Sequence, residues 1–116
     1  MPGALQALIT PDAGPYGHPT TDHAAGAKSA GLDLKPTELL IFGNPKLGTP
    51  LMQTNRMIAL DLPMKVLAWE DAEGVVWLSY TRPDYLFQRF QITDRAEVEK
   101  QMSGALAKLS KAATQP

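Results

Sequence analysis

The chain has 116 residues, of which 44% are hydrophobic and 20% charged, and this balance indicates one folded domain with a packed core. Eleven basic and twelve acidic residues leave a net charge of −1, which argues against a nucleic-acid partner. Because there is no cysteine, disulfides, iron–sulfur clusters and thiolate zinc sites are excluded. The chain has no long apolar run and no secretory signal pattern, so we expect a cytoplasmic protein without a membrane span.

Residues 1–21 are predicted to form a segment rich in proline and glycine that adds little to the core. Residues 10–22 contain three prolines, each of which removes a backbone hydrogen-bond donor and favours a loop. Residues 5–9 fit either one turn of helix or a short strand, and both alternatives stay open.

Two short elements are predicted next along the chain. Residues 23–30 are rich in alanine and indicate a helix that Asp22 caps and Gly31 ends. Residues 37–42 form a dense apolar run that stops at Gly43, and this length favours a buried strand over a helix.

A second helix and a hairpin are predicted in the middle of the chain. Residues 49–58 indicate the helix, because Thr49 can cap it and Pro50 suits the first helical position. Residues 63–70 and 75–81 are rich in β-branched and aromatic residues and indicate two strands joined by a tight turn. Alternation along the second strand places Val75, Trp77 and Ser79 on one face, and Val76, Leu78 and Tyr80 on the other.

The C-terminal part of the chain is predicted to be helical. Residues 83–90 indicate a short helix that begins with a proline. Asp94 and Glu97 have the spacing of a capping box at the start of the last helix. One face of that helix carries its apolar residues, Val98, Met102, Ala105, Leu106 and Leu109. The folded domain is expected to span residues 22–112, followed by a frayed tail at 113–116.

These elements predict an α+β domain with an antiparallel or mixed sheet covered by helices. The chain lacks a nucleophile elbow, a dinucleotide-binding fingerprint and the HExxH pattern of metalloproteases. A conventional hydrolase or dehydrogenase is therefore unsupported, and no catalytic residues and no cofactor are predicted.

The segment Gly43–Thr49 is the first candidate site, because it follows a buried strand and opens a helix. Backbone N–H groups at a helix N-terminus can hold an anion, and Lys46 would add positive charge. The segment is not a Walker A loop, since Gly48 precedes Thr49 without a lysine between them. A simple strand-to-helix turn is the favoured alternative.

Two histidines are the next candidates. His18 and His23, with Asp22, could contribute to a metal site, but the spacing matches no established pattern and we predict no metal. A general-base role for His23 is a further alternative.

Carboxylates and aromatic residues around the hairpin are also candidates. Glu70 and Asp71 point to opposite faces if the strand continues through them, which favours a solvated turn over a catalytic pair. Trp69, Trp77 and Tyr80 could stack a ligand, but core packing and a dimer interface are the favoured interpretations.

Five segments form a specific pattern: DHAAGA at 22–27, GLDLKPTELLIFGNPKLGTPLM at 31–52, DLPMKVLAWED at 61–71, VWLSY at 76–80 and PDYL at 83–86. The pattern resembles a bacterial family named only as domain of unknown function 302. The resemblance implies an α+β domain with a curved antiparallel sheet and helices packed on it, similar in topology to TATA-binding protein. It brings no established activity. If family members share a site, the matching strings place it near His23, Asn44, Lys46, Thr49 and Tyr80. Gly43 and Gly48 of the candidate segment complete the set of seven predicted ligand-binding residues.

The resemblance also predicts self-association. Family members usually begin with a strand and a long helix, and these are expected to be absent or replaced here, because only 21 proline- and glycine-rich residues precede Asp22. The sheet would then have a bare edge and an uncovered apolar face. A second chain could cover the gap, residues 4–10 could partly fill it, or the domain could be only marginally stable, and self-association is the favoured outcome.

Three functions follow from this reading. The favoured one is a non-enzymatic binding module that forms a homodimer and takes a small anionic ligand or a protein at Gly43–Thr49. The second is an enzyme with His23 as general base and an anion site at the same segment. The third is a structural or degenerate module without a ligand.

Overall fold

The computed structural model describes residues 20–114, which form four strands, four α-helices and one 3-10 helix. The elements are β1 Thr20–Asp22, α1 His23–Ser29, β2 Thr37–Phe42, α2 Pro45–Thr54, a 3-10 helix Arg56–Asp61, β3 Met64–Glu70, β4 Val76–Tyr80, α3 Pro83–Arg89 and α4 Ala96–Thr114. Residues 5–9 and His18, for which the sequence suggested roles, lie outside the described residues.

The four strands form one sheet in the order β1-β2-β3-β4, and every neighbouring pair is antiparallel. Leu40 pairs with Val66, and Val66 pairs with Tyr80, so these three side chains share one face. The predicted α+β fold with an antiparallel sheet is therefore confirmed.

The core lies on a single face of this sheet. Alternate residues of β2 and β3, such as Leu40, Val66 and Ala68, are almost fully buried there. Residues from the helices and their ends close over them: Leu51, Ile58, Leu86, Phe87, Phe90, Ile92, Met102 and Leu106. The sheet is thus covered by helices on the face that carries these side chains.

The predicted apolar face of the last helix is largely confirmed. Met102 and Leu106 are buried, and Val98 and Leu109 pack against the core. Ala105 is exposed, because it lies at the margin of the face and its short side chain does not reach the core.

The predicted helix over 49–58 was wrong at both ends, since the helix ends at Thr54 and a 3-10 helix begins at Arg56. The helix α2 begins at Pro45, and Asn44 is its N-cap, with the side-chain oxygen accepting a hydrogen bond from Lys46 N. Pro50 lies inside the helix rather than at its first position. Asn44-Pro45 and Thr49-Pro50 could each start a helix, since each pairs a capping residue with a proline. The start at Asn44-Pro45 adds another helical turn, which places Leu47 against the core.

The capping box at Asp94 was also wrong. Helix α4 begins at Ala96, and the Asp94 carboxylate accepts a hydrogen bond from Thr54 Oγ1 at 3.1 Å. A tertiary contact with the end of α2 therefore takes the side chain that was expected to cap the helix. At its other end α4 continues to Thr114, beyond the boundary expected at residue 112.

Two other local predictions are confirmed. Asp22 caps α1 by accepting a hydrogen bond from Ala25 N at 2.9 Å, and Gly31 follows with φ of 77°. Gly74 in the hairpin turn has φ of 83°, a backbone conformation that glycine adopts without strain. The strands of the hairpin cover nearly the ranges expected from their composition.

Candidate functional site

The N-terminal end of α2 brings together five of the seven residues that the sequence singled out: Gly43 and Asn44 just before the helix, and Lys46, Gly48 and Thr49 within its first five residues. Its backbone donors are already in use. Pro45 has no N–H, Lys46 N donates to Asn44 Oδ1, and Leu47 N and Gly48 N both donate to Asn44 O at 2.9 Å. An anion at this helix end would therefore depend on the exposed side chain of Lys46 rather than on a cradle of amides.

The glycine in this turn has no special steric requirement. A Cβ at Gly48 would meet Leu62 Cδ1 at 3.7 Å, which is an ordinary van der Waals contact. A side chain such as that of alanine would therefore fit at this position, and its surroundings require neither glycine nor a bound group. Ligand binding by Gly43, Asn44, Lys46, Gly48 and Thr49 remains a prediction.

His23 lies far from this turn. It is the first residue of α1, directly after Asp22, which pairs with Glu38 near the start of β2. The turn of α2 follows the opposite end of β2. At a rise of about 3.3 Å per residue, the strand separates His23 from Asn44 by roughly 20 Å. The general base and the anion site of the hypothetical enzyme do not meet.

Tyr80 lies at the same end of the sheet as the start of α2, but its side chain faces the core. It is the last residue of β4, and its half-buried side chain packs against the core cluster. It is thus grouped with Val66 and Leu40 rather than with a surface site. Within residues 20–114, no group of three potential ligands from histidine, aspartate and glutamate is close enough to hold a metal ion.

The opposite face of the sheet is apolar and partly open. Thr37, Lys65 and Ser79 share this face, and its apolar residues on β2, β3 and β4 are Leu39, Ile41, Leu67, Trp69 and Trp77. None of them belongs to the core cluster or packs against it. We refer to these five residues as the open face. Leu39, Ile41, Leu67 and Trp69 are largely but not fully buried, whereas Trp77 is exposed over 50% of its surface.

The two tryptophans lie on this face beside the turn that joins β3 and β4. Trp69 pairs with Trp77 across β3 and β4, and the rings stack with centroids 6.4 Å apart at an angle of 25°. Trp69 Nε1 donates to Ser79 Oγ at 2.9 Å, and Trp77 Nε1 donates to Asp71 Oδ2 at 2.7 Å. Because both indole N–H groups are satisfied, the rings are held in place and present apolar surface.

Asp71 organises the turn beside the tryptophans. Its carboxylate accepts hydrogen bonds from Trp77 Nε1, Val75 N and Glu73 N. The bond from Trp77 and those from the turn amides hold the pKa of the Asp71 carboxyl below its ordinary value. The sequence indicated a solvated turn here. Only the fold reveals that Asp71 also orients Trp77, because that contact joins residues across the hairpin.

The family model for domain of unknown function DUF302 matches residues 19–109. The chain belongs to the DUF302 family. A crystal structure of a DUF302 protein from Bacillus stearothermophilus aligns with a TM-score of 0.79 and 17% sequence identity, covering 96% of this chain and 86% of that one. At this identity the match supports a common fold and nothing about activity.

Among curated proteins, this DUF302 chain is similar to fluoride-specific ion channels from Brucella suis and Brucella abortus. Each is 61% identical over 71 residues, which make up 61% of this chain. The match spans about a quarter of those relatives, 28% and 26% of their lengths. In the described part of this chain, no helix is long and apolar enough to cross a membrane.

Proposed function

We propose that this DUF302 chain is a non-enzymatic binding domain that associates with a second copy of itself through the open face. The observation that carries the proposal is the stacked Trp69–Trp77 pair, half of Trp77 being exposed. Buried aromatic anchors contribute much of the free energy of protein interfaces. Here the anchors are already ordered by hydrogen bonds, which reduces the entropy lost on binding.

The position of Trp77 favours a second copy over another partner. It lies on β4, an edge strand of the four-stranded sheet, and its neighbours Val75 and Val76 are also about half exposed. Around a two-fold axis beside β4, each Trp77 would meet the same surface of the other copy. The near balance of acidic and basic residues leaves little net charge to oppose this contact.

The test is the oligomeric state of a matched pair of variants. Trp77→Ser and Tyr85→Ser each remove an aromatic side chain of similar exposure, 50% and 55%, but only Trp77 lies on the open face. Sedimentation velocity should show a dimer for the wild type and for Tyr85→Ser. For Trp77→Ser the dissociation constant should rise at least about tenfold. A wild-type chain that is monomeric at about 100 µM would refute the proposal.

The Brucella relatives support a second candidate function, as an extramembrane accessory to a fluoride channel. The matching segment in those channels is 61% identical to this chain, in which the described residues contain no membrane-spanning helix. A domain joined to a channel shares its location and can act on its assembly or its activity.

Fluoride efflux from proteoliposomes tests this second function. The Brucella suis channel would be reconstituted whole and with the segment that matches this chain removed. Altered efflux in the shortened channel, reversed when this chain is added, would support an accessory role. Identical efflux in all three preparations would contradict it and would leave the self-association proposal untouched.

A further inference from the structure

A second candidate site lies in a cleft at the end of the sheet where β3 begins and β4 ends. The cleft has a volume of about 190 Å³ and is lined by the end of the 3-10 helix, the start of β3 and one side of α3. Along β3, Lys65 in this cleft is four residues from Trp69, or about 13 Å. The cleft is therefore distinct from the tryptophan pair.

Two cations lie in this cleft with one carboxylate. Lys65 Nζ donates to Asp61 O at 3.3 Å and to Pro63 O at 3.0 Å, which holds the ammonium in position. Arg89 Nη1 donates to Asp61 Oδ2 at 2.6 Å. A guanidinium has five N–H donors, so Arg89 can hold Asp61 and a second anion together. The three groups leave a net positive charge.

Arg89 is also oriented by a contact outside the cleft. Its guanidinium carbon lies 5.2 Å from the centre of the Phe90 ring, a distance suited to a cation–π interaction. Phe90 itself is buried in the core. The cation is thus fixed from two sides, by Asp61 and by Phe90, before any ligand arrives.

Apart from Thr81, the rest of the lining is apolar or aromatic. Met64 and Leu86 are nearly buried in the core, and the exposed Tyr85 ring stands at the edge of the cleft. An engineered cavity of roughly 150 Å³ in another protein admits one benzene ring. A cleft of about 190 Å³ therefore has room for one ring and a carboxylate.

We propose that this cleft binds a small organic carboxylate, independently of the self-association proposed above. The carboxylate lies on Arg89 and Lys65, and the apolar body lies against Met64, Leu86 and Tyr85. The apolar residues of the lining favour an organic acid over an inorganic anion, and the single net charge favours a monoanion.

Benzoate is the probe, with benzamide as its uncharged counterpart and inorganic phosphate as an anion without an apolar body. Titrations followed by amide chemical shifts should move the signals of Lys65, Thr81 and Leu86 with benzoate and leave them nearly unchanged with the other two. Equal shifts with benzamide, stronger binding of phosphate, or shifts confined to the open face would each overturn the proposal.

Variants sharpen the test. Arg89→Gln should weaken benzoate binding at least about tenfold, whereas Arg82→Gln, which removes an arginine paired with Asp84 outside the cleft, should leave it unchanged. Asp61→Asn should tighten binding about threefold, because it removes the competing negative charge. If Arg89→Gln lowers the melting temperature, Tyr85→Ala tests the same site at an exposed position. Unchanged affinity in Tyr85→Ala and in Asp61→Asn would contradict the assignment.

Discussion

The two faces of the sheet carry similar apolar residues but differ in how they are covered. On β2, Leu40 is 2% exposed, whereas its neighbour Leu39 is only half-buried. On β3, Val66 is fully buried, whereas its neighbour Leu67 is half-buried. Strand alternation decides which residues share a face, but the helices decide which face becomes the core.

This difference explains why the proposed association belongs to one face. Each Å² of apolar surface removed from water contributes about 25 cal/mol. Residues such as Leu67 and Trp77 still expose apolar surface, so covering that surface in a contact would add further stabilisation. The core side chains have none left to contribute. A contact between copies can therefore be stabilised by the open face without disturbing the fold.

The largest expected effect comes from the same truncation on the two faces. Leu40→Ala should lower the free energy of unfolding by about 2–5 kcal/mol, because it leaves a cavity in a sealed core. Leu39→Ala should cost much less, since water or side-chain movement fills the gap. Thermal unfolding at low protein concentration measures both. Equal losses would mean that the two faces are equally covered.

Removing a hydrogen-bonding side chain should also lower the free energy of unfolding more on the core side than on the open face. Asn55 Nδ2 donates to Phe90 O at 2.8 Å, and its Oδ1 accepts from Met57 N at 3.0 Å, so it joins the elements that cover the core. Asn55→Ala should cost about 1–3 kcal/mol, because it leaves the Phe90 carbonyl and the Met57 amide without their partners. Ser79→Ala, which removes the acceptor of Trp69 Nε1 on the open face, should cost less. Chemical denaturation compares them, and a larger loss for Ser79→Ala would reverse the comparison.

A stabilising change in a covering helix should separate fold stability from association. Gly104 lies inside α4, and a Cβ there would meet no atom within 4 Å. Gly104→Ala should raise the free energy of unfolding by about 0.5–1 kcal/mol through helix propensity. Thermal unfolding measures the gain, and sedimentation should show an unchanged dimer. A shift in dimer affinity would show that α4 takes part in the contact.

The smallest expected effect is a change in tryptophan emission at acidic pH, which should involve only the open face. The pKa of Asp71 is lowered in the folded chain, so its bond to Trp77 stabilises the hairpin above the carboxyl's ordinary pKa and is lost as pH falls through the lower folded pKa. Both tryptophans of the chain lie on this face, so intrinsic fluorescence reports on it. Emission should be constant between about pH 5 and 8 and change only below about pH 4.

Asp71→Asn is the control for that titration. The variant should lose the acid-dependent change in tryptophan emission, since its amide does not titrate in this range. A transition near neutral pH, or one that persists in Asp71→Asn, would show that another group controls the hairpin.

Local signals predicted most of the elements. The Asp22 cap, the glycines at 31 and 74 and the alternation along β4 act between residues that are close in the chain, and the structure agrees with each. The start of α2 was missed because Asn44-Pro45 and Thr49-Pro50 offer equivalent local signals. Packing of the added turn, through Leu47, distinguishes them.

The candidate sites show the same division between local signals and tertiary contacts. The sequence by itself determined which residue types were available, that the apolar residues of the strands would fall on two faces, and that thiolate chemistry was excluded. Tertiary structure alone decided that His23 and Lys46 lie at opposite ends of β2, that Asp71 orients Trp77, and that Lys65 and Arg89 share a cleft. The first and the last of these relations depend on strand register and helix packing, which join distant parts of the chain. The Asp71–Trp77 bond joins residues only six apart, and it depends on the geometry of the folded hairpin rather than on neighbouring letters.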